Sequence, residues 1–413
     1  MNTVSLIHLI AAFGRLFSDH KQAEKLMNAI KAKDLKKALR LVQNVDSVNY
    51  TDENTISLLM HSSDNGYLDV CKTLINKGAK LDMQSTQGLS FSALFLASQN
   101  GHIEVVKLLL DKGAKLDLQM NNGATALGAA SQNGHTEVVK LLLDKGAELD
   151  LQKTDDGYTA LHFASEKGHT EVVKLLLNKG AKLDLRTIND GITALYLAAC
   201  YGHTEVVKLL LNKGAKLDLQ MNNGATILMA ASQAGHKEVV KLLLDKGAKL
   251  DLQVRDDGYT ALHFASEKGH KEVVKLLLDK GAKLDMQINN GATALFIASE
   301  KGHTEVVKLL LDKGAKPDLP MNNDATALIV ASQNGHKEVV SLLLDKAAKL
   351  DLQMNNGLTA LCLASYLGHK EVVELLLAKG ANPNLKTYES KTAYDYAENN
   401  DIKNLLTSHV HGH

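Results

Sequence analysis

The chain has 413 residues of ordinary globular composition, 45% hydrophobic and 23% charged. Its 47 Lys and Arg balance its 47 Asp and Glu, which argues against a general binder of nucleic acid or anionic membranes but leaves a local basic patch open. Three widely separated cysteines, Cys71, Cys200 and Cys362, lack metal-ligand spacing; they indicate a reducing compartment, and we expect a cytoplasmic protein without disulfides.

Residues 1–21 form an N-terminal extension. The apolar residues of Val4–Phe17 follow helical spacing and predict a helix. The run lacks a basic start and is too short to span a bilayer, so we expect neither a cleaved signal peptide nor a transmembrane segment. Two interpretations stay open: a helix that covers the end of the following array, or an amphipathic membrane anchor or partner helix.

The rest of the chain is built from repeats. A Gly-His pair recurs in steps of 33 or 34 residues, its glycines being Gly101, Gly134, Gly168, Gly202, Gly235, Gly269, Gly302, Gly335 and Gly368. This period indicates a stacked array of small units rather than a single core. Gln22–Asn49 and Asn54–Lys80 are degenerate first units. MNNGAT and DDGYTALHFASEKGH each recur 101 residues later, which indicates duplication of a three-unit block.

The regular unit has a simple internal logic, seen best in Thr159–Leu183. Thr159 is the expected N-cap of a first helix over Ala160–Lys167, and Gly168 ends that helix in the left-handed conformation. A strongly apolar second helix follows over Glu171–Asn178 and requires burial on two sides. The glycine-containing link to the next unit predicts an extended excursion and a turn back.

The pattern weakens near the C-terminus. Around Pro317–Ala347, two prolines enter the link, Asp324 replaces its glycine and Ala347 replaces a helix-ending glycine. A left-handed Ala is unfavourable, so we expect this stretch to be the weakest part of the array. We divide the chain into the extension (1–21), the array (22–387), a capping unit (388–408) and a disordered tail (409–413).

Helix, turn, helix and protruding link, carried by TALHFASEKGHTEVVKLLLNKGA, resemble the ankyrin repeat family. The resemblance covers about residues 22–408, or roughly 12 units. It implies an all-α helix-turn-helix solenoid with protruding β-hairpin loops, and protein partners bound on a concave face of hairpin tips and first helices. The histidine that the family places after Leu, where it bonds the Thr of the turn, survives only at His162 and His263. Most units should lack that bond.

The resemblance also implies a setting. Near-identical copies are similar to ankyrin proteins that intracellular bacteria deliver into host cells, so a secreted effector acting in a host cytosol is one expectation. Ankyrin-like units can be hydroxylated on the Asn that ends the second-helix link. Here that residue is Asp in the regular copies, and Asn only at Asn49 and Asn384, the two candidate hydroxylation sites.

Catalysis and metal binding find little support in the pattern. Histidines of successive turns are expected about 10 Å apart, the spacing of packed helices, which is too far to share a metal ion. Cys200 and His203 invite a nucleophile–base interpretation, but no third group or oxyanion site accompanies them. We expect no enzyme activity, no cofactor and no metal.

The binding site is predicted from large side chains at positions that are mostly small and polar in this chain. Seven residues beside the hairpin glycine or before Gly-His stand out: Tyr158, Ile192, Tyr201, Tyr259, Leu358, Tyr366 and Leu367. Exposed aromatic and apolar groups anchor interfaces; the alternative is that they pack on adjacent hairpins. We therefore expect a monomeric, non-catalytic scaffold for protein partners. The alternatives are an adaptor tethered to a membrane through Val4–Phe17 and, last, an enzyme.

Overall fold

A computed structural model describes the backbone of residues 3–410 and the side chains of residues 15–409. Within this part of the chain the regular structure is helical, with one short 3-10 turn at Val42–Asn44. The helices are α1 (Thr3–Lys31), α2 (Leu35–Leu41), α3 (Leu58–Asp64), α4 (Leu68–Asn76), α5 (Ala93–Gln99), α6 (Ile103–Asp111), α7 (Ala126–Gln132), α8 (Thr136–Asp144), α9 (Ala160–Lys167), α10 (Thr170–Asn178), α11 (Ala194–Cys200), α12 (Thr204–Asn212), α13 (Ile227–Ala234), α14 (Lys237–Asp245), α15 (Ala261–Glu267), α16 (Lys271–Asp279), α17 (Ala294–Glu300), α18 (Thr304–Asp312), α19 (Ala327–Gln333), α20 (Lys337–Asp345), α21 (Ala360–Tyr366), α22 (Lys370–Ala378), α23 (Ala393–Tyr396) and α24 (Asn400–Val410).

Each regular first helix begins at a hydroxyl cap, as predicted. In α9 the Thr159 hydroxyl accepts the backbone N–H of His162, and Thr125 and Thr226 do the same for α7 and α13. This contact satisfies one of the N–H groups that a helix start leaves without a partner. At the other end of α9, Gly168 has a φ of 73°, a conformation that residues with a Cβ resist.

Within each of the two compact bodies defined below, the described helices pair in chain order and stack in two layers, the arrangement of an all-α ankyrin-type solenoid. First helices pack on the first helices of adjoining units, as α5, α7 and α9 do, and second helices such as α6, α8 and α10 form the other layer. Val172, Val173 and Leu176 of α10 are fully buried. The continuous apolar run of each second helix is therefore explained by contacts with its own first helix and with neighbouring second helices.

The array contains two compact bodies. One comprises the residues up to Ala198 together with Glu205–Lys216; the other comprises Ala199–Thr204 and the residues from Leu217 onward. Both contain the same stacked unit. The first-helix layer consists of α3, α5, α7 and α9 in one body, and of α13, α15, α17, α19, α21 and α23 in the other.

The Gly-His turns connect consecutive units within each body. The His135 ring lies against Gly101 of the preceding unit so closely that a Cβ there would be 2.6 Å from Nδ1. Nε2 of His135 donates to the Gln99 carbonyl at 2.9 Å. The same bond to the preceding unit recurs at 2.8 to 3.0 Å for His102, His169, His236, His270, His303, His336 and His369. These glycines therefore serve close packing as well as the turn.

A second set of hydrogen bonds also joins consecutive units, here through a side chain of the preceding unit. The Asp117 carboxylate accepts the backbone N–H of Glu148 in the following unit, at 3.1 Å. Equivalent bonds of 2.8 to 3.2 Å involve Asp82, Asp150, Asp184, Asp251, Asp285, Asp318 and Asp351. The Asp that ends each second-helix link thus holds the start of the next link.

The links fold back in tight turns. Met120 N–H donates to the Ala124 carbonyl at 2.9 Å, and Gly123 N–H donates to Met120 at 2.9 Å. Neighbouring tips also bond to each other, as when Thr154 N–H donates to the Asn122 carbonyl at 2.9 Å. These hairpins are too short for a ladder: within residues 3–410, β-pairing consists of the isolated bridges Thr51–Ser57 and Gln287–Thr293.

The irregular stretch has the predicted backbone. Ala347 has a φ of 63° and Asp324 a φ of 64°, both left-handed. Lys33, Thr55, Ser90 and Ser390 share this conformation, so the irregular units near both ends also keep the turn without its glycine.

The two ends of the chain add structural detail. The predicted helix over Val4–Phe17 is part of α1, which continues to Lys31, so residue 21 lies inside a helix. At the other end, α24 continues to Val410. Of the tail defined from the sequence, residues 411–413 lie outside the described residues.

Candidate partner-binding surface

The paired aromatic motifs are held by their own units. Tyr158 packs on Phe163 with ring centroids 5.1 Å apart, and Tyr259 packs on Phe264 at 4.9 Å. Both tyrosines are half-buried. Burial, together with the nearby carboxylates of Glu267 and Asp257, raises the pKa of Tyr259 to about 12. These two side chains present only part of their surface to a partner.

Ile192 and Tyr201 differ in exposure. Ile192 is half-buried, whereas Tyr201 is 54% exposed and stacks beside His203, with centroids 6.4 Å apart. Tyr201 is thus an exposed aromatic surface at the end of α11.

Two of the predicted residues come together near the C-terminus. Leu358 and Tyr366 line a groove of about 720 Å³ with Leu363, Tyr396, Ala397, Lys391, Asp395, Glu398 and Lys403. Leu367 adjoins Tyr366 in sequence; the two are 46% and 53% exposed. Tyr366 meets Tyr396 edge-on, with centroids 6.4 Å apart. We name this site the C-terminal aromatic groove.

The last unit fixes the far wall of the groove. Asp395 accepts the backbone N–H of Thr392 at 2.7 Å and its hydroxyl at 2.9 Å, which holds the start of α23 and lowers the pKa of Asp395. Lys391 lies 5.5 Å from the Tyr396 ring centroid and pairs with Glu389 at 2.9 Å. The groove is therefore lined by apolar and aromatic side chains together with charged ones of both signs, a composition found in protein interfaces.

Several exposed apolar residues were missed by the sequence reasoning. Tyr388 is 80% exposed, and Ile188, Tyr394 and Leu89 are also exposed. Tyr388 and Tyr394 belong to the last unit, where the repeat pattern that guided the search breaks down. Ile188 precedes its hairpin glycine, Gly191, by three residues, outside the positions that were compared.

The two asparagines proposed for hydroxylation lie in accessible links. Asn49 Oδ1 accepts the backbone N–H of Lys80 at 2.8 Å, the bond that Asp makes in regular units. Asn384 donates its backbone N–H to Asn382 Oδ1 at 2.9 Å. Both residues are exposed.

The histidines of the first helices have structural roles. His162 Nδ1 accepts the backbone N–H of Thr159 at 3.2 Å, and His263 makes the same bond with Thr260 at 3.1 Å. Burial lowers the pKa of His162, and lowers that of His263 to about 4. In α13 the thioether of Met229 replaces this ring and accepts Thr226 N–H at 3.3 Å.

The Cys200 thiol is poorly suited to act as a nucleophile. Burial raises its pKa, whereas a reactive thiol needs a lowered one. The backbone carbonyl of Cys200 accepts a hydrogen bond from Nε2 of His236 at 3.0 Å. Among residues 15–409, no group of three His, Cys, Asp or Glu side chains is placed to hold a metal ion.

The comparisons with known proteins identify the repeat. A family model for ankyrin repeats in three copies matches residues 26–120, 94–187, 184–256, 251–321 and 317–387. A search of curated proteins gives no match. Together the matched segments cover residues 26–387. The stacked helix pairs described above have the architecture that this family predicts. The chain therefore belongs to the ankyrin repeat family.

Proposed function

We propose that this protein is a non-catalytic scaffold that binds a protein partner on its first helices and hairpin tips. Ankyrin repeats are generally protein-interaction modules, which supports the class of function. The C-terminal aromatic groove is the proposed anchor. The observation that carries this choice is the convergence of Leu358, Tyr366 and Tyr396 around one cavity beside exposed Leu367.

The groove combines what interface anchors require. Rings and branched apolar groups bury large areas at low entropic cost, and a well-formed cavity lets a partner side chain exclude water. In some other units the two residues before Gly-His are Gln and Asn, as at Gln132-Asn133 and Gln333-Asn334, which provide polar contacts. A partner would insert an apolar side chain in the groove and follow the tips with its backbone.

The chain itself supplies the variant that tests this proposal. Tyr366→Gln with Leu367→Asn installs the pair found at residues 333–334 of the preceding unit, so the fold should be unaffected. Both variant and wild type are immobilised and exposed to lysate, and bound proteins are identified by mass spectrometry. Circular dichroism checks that helix content is unchanged.

Tyr201→Asn is the matched control, because it removes one exposed tyrosine far along the sequence from the groove. We expect a protein captured by the wild type and by Tyr201→Asn, but at least tenfold less by the double variant, equivalent to about 1.4 kcal/mol. Equal capture by all three proteins would move the anchor away from the groove. Loss in Tyr201→Asn alone would place it at α11.

The cellular setting forms part of the proposal. We place the protein in a cytosol, as a monomer, and the near-identical copies 101 residues apart support a secreted bacterial effector acting in a host cell. Asn49 and Asn384 are the proposed hydroxylation sites, supported by their exposed positions. Mass spectrometry of protein isolated from that cytosol tests both the location and the modification.

A further inference from the structure

Helix α1 extends beyond the helices that pack on it. It runs over 29 residues, whereas the first helices α5 and α9 have 7 and 8. Among its described side chains, the buried ones lie between Ala23 and Ile30; α1 packs on α2 and α3. Leu16 precedes Ala23 by two turns on the same stripe, yet it is 65% exposed.

The N-terminal part of α1 is strongly apolar in sequence. Phe17 is 83% exposed, more than any other large apolar side chain among residues 15–409. From Val4 to Phe17 the sequence contains one charged residue, Arg15. Among the described helices, none is long and apolar enough to cross a membrane.

Basic residues follow this apolar segment in the sequence. Lys21 and Lys25 follow Phe17 at intervals of four, so the three lie on one face of α1. Lys36, Lys37 and Arg40 lie on one side of α2, Lys33 lies in the left-handed turn before it, and all four are exposed. We call these four residues the basic stripe; three of them line a depression of about 310 Å³ with Asp34.

The charge of this region is unbalanced. Residues 15–49 contain eight Lys or Arg and four Asp or Glu, a net charge of +4, although the whole chain has a net charge of zero. Two of the four acidic residues are engaged in hydrogen bonds: Asp19 accepts the backbone N–H of Asp46, and Asp34 caps α2 through Lys37 N–H. Among residues 15–409, Lys31 pairs with Asp52, but none of the basic stripe forms an ion pair.

The need for a polar cap does not explain this charge. A terminal unit requires a polar outer face of either sign, and the unit at the other end, residues 388–409, contains two Lys and four Asp or Glu. An apolar helix beside clustered lysines is instead the combination that binds anionic bilayer surfaces, where the apolar groups enter the interface and the cations contact headgroups.

We propose that the N-terminal unit docks the protein reversibly on an anionic phospholipid surface, with Leu16 and Phe17 in the interface and the basic stripe on the headgroups. This role is independent of the C-terminal aromatic groove. It leaves the first helices and tips free to hold a protein partner at the membrane.

The test is co-sedimentation of the full chain with vesicles of phosphatidylcholine alone or mixed with phosphatidylserine. One variant neutralises the basic stripe (Lys33, Lys36, Lys37 and Arg40 to Gln), and another changes Leu16 and Phe17 to Ser. The matched control neutralises four exposed second-helix lysines, Lys107, Lys140, Lys241 and Lys275, so its net charge equals that of the stripe variant. All substituted side chains are exposed.

Wild type and control should bind the phosphatidylserine vesicles, with binding that weakens as salt is added. The stripe variant should bind at least about tenfold more weakly, since each cation near an anionic surface contributes about 1 kcal/mol. The Leu16 and Phe17 variant should lose binding as well.

Three results would overturn the proposal. The first is no binding of the wild type at low salt, and the second is an equal loss in the matched control. The third is a dimer, measured by light scattering, that the Leu16 and Phe17 variant converts to monomer without any lipid binding; the segment would then be a self-association face. In the first case, binding to an acidic peptide would assign the basic stripe to a protein partner.

Discussion

Replacing a buried serine by alanine should stabilise this protein. Eight first helices contain a serine three residues before the glycine of the turn, fully buried and with a hydroxyl that has no hydrogen-bond partner among the described residues: Ser98, Ser131, Ser165, Ser232, Ser266, Ser299, Ser332 and Ser365. In α11 the same place holds Ala199, which is also fully buried. The chain therefore shows that alanine fits this position.

The magnitude follows from two terms. A buried hydroxyl without a partner costs about 1–3 kcal/mol in lost hydration, and Ala exceeds Ser in helix propensity by about 0.5 kcal/mol. Loss of the small van der Waals contact of the oxygen partly offsets both. We expect Ser131→Ala to raise the free energy of unfolding by about 1 kcal/mol, and Ala199→Ser to lower it by a similar amount.

Hydrogen exchange is the decisive assay, because repeat arrays can open in segments and a global midpoint averages over them. Amides of α7 should exchange about fivefold more slowly in Ser131→Ala, the factor that corresponds to 1 kcal/mol. Urea unfolding followed by circular dichroism provides the global value. A destabilised Ser131→Ala, or a neutral Ala199→Ser, would refute the reasoning and show that these hydroxyls are hydrogen-bonded.

Two further predictions concern pH and backbone strain. Because burial lowers the pKa of His263 to about 4 from 6.5, the folded state keeps this ring neutral and unfolding takes up a proton. Its stabilising contribution is present above pH 6.5 and is lost as the pH falls towards 4, an effect of about 3 kcal/mol. His263→Met, which copies the arrangement at Met229, should remove this dependence in urea midpoints measured at pH 7 and 5; an unchanged slope would contradict it. Ala347→Gly should remove the strain of a left-handed Ala, raise the free energy of unfolding by about 1 kcal/mol and slow hydrogen exchange in α20. Gly314→Ala should have the reverse effect in α18. In the wild type, amides of Pro317–Ala347 should exchange before those of Glu137–Leu183. Equal protection of both stretches would refute the prediction that Pro317–Ala347 is the weakest part of the array.

The sequence predicts the fold in detail where the repeat is regular. The boundaries of α9, its Thr159 cap and the left-handed Gly168 follow from local chemistry that each copy repeats. The resemblance also anticipates which units keep the His-to-Thr bond. The stacking of turn histidines on glycines of the preceding unit, such as His135 on Gly101, was not predicted, because it joins residues 34 or more positions apart in different units.

The candidate site was harder to predict, for physical reasons. Tyr158 and Tyr201 both stand at places open to solvent in the repeat, but only Tyr158 has a Phe five residues later on which to pack. The far wall of the groove, with Tyr396, comes from a last unit whose short helix breaks the period. The repeat pattern cannot predict the positions of side chains in a unit that departs from it.

The bonds between units have an evolutionary consequence. Regular units contact their neighbours through the same glycine, on which a histidine ring packs, and the same Asp carboxylate. A block of whole units can therefore be gained or lost while the contacts at the new junction stay the same. Fusing Thr154 directly to Asp256 would remove 101 residues and place one copy of DDGYTALHFASEKGH where the other stood. The length of this protein is therefore a heritable variable that recombination can change in single steps, while the chemistry of each contact is inherited unchanged.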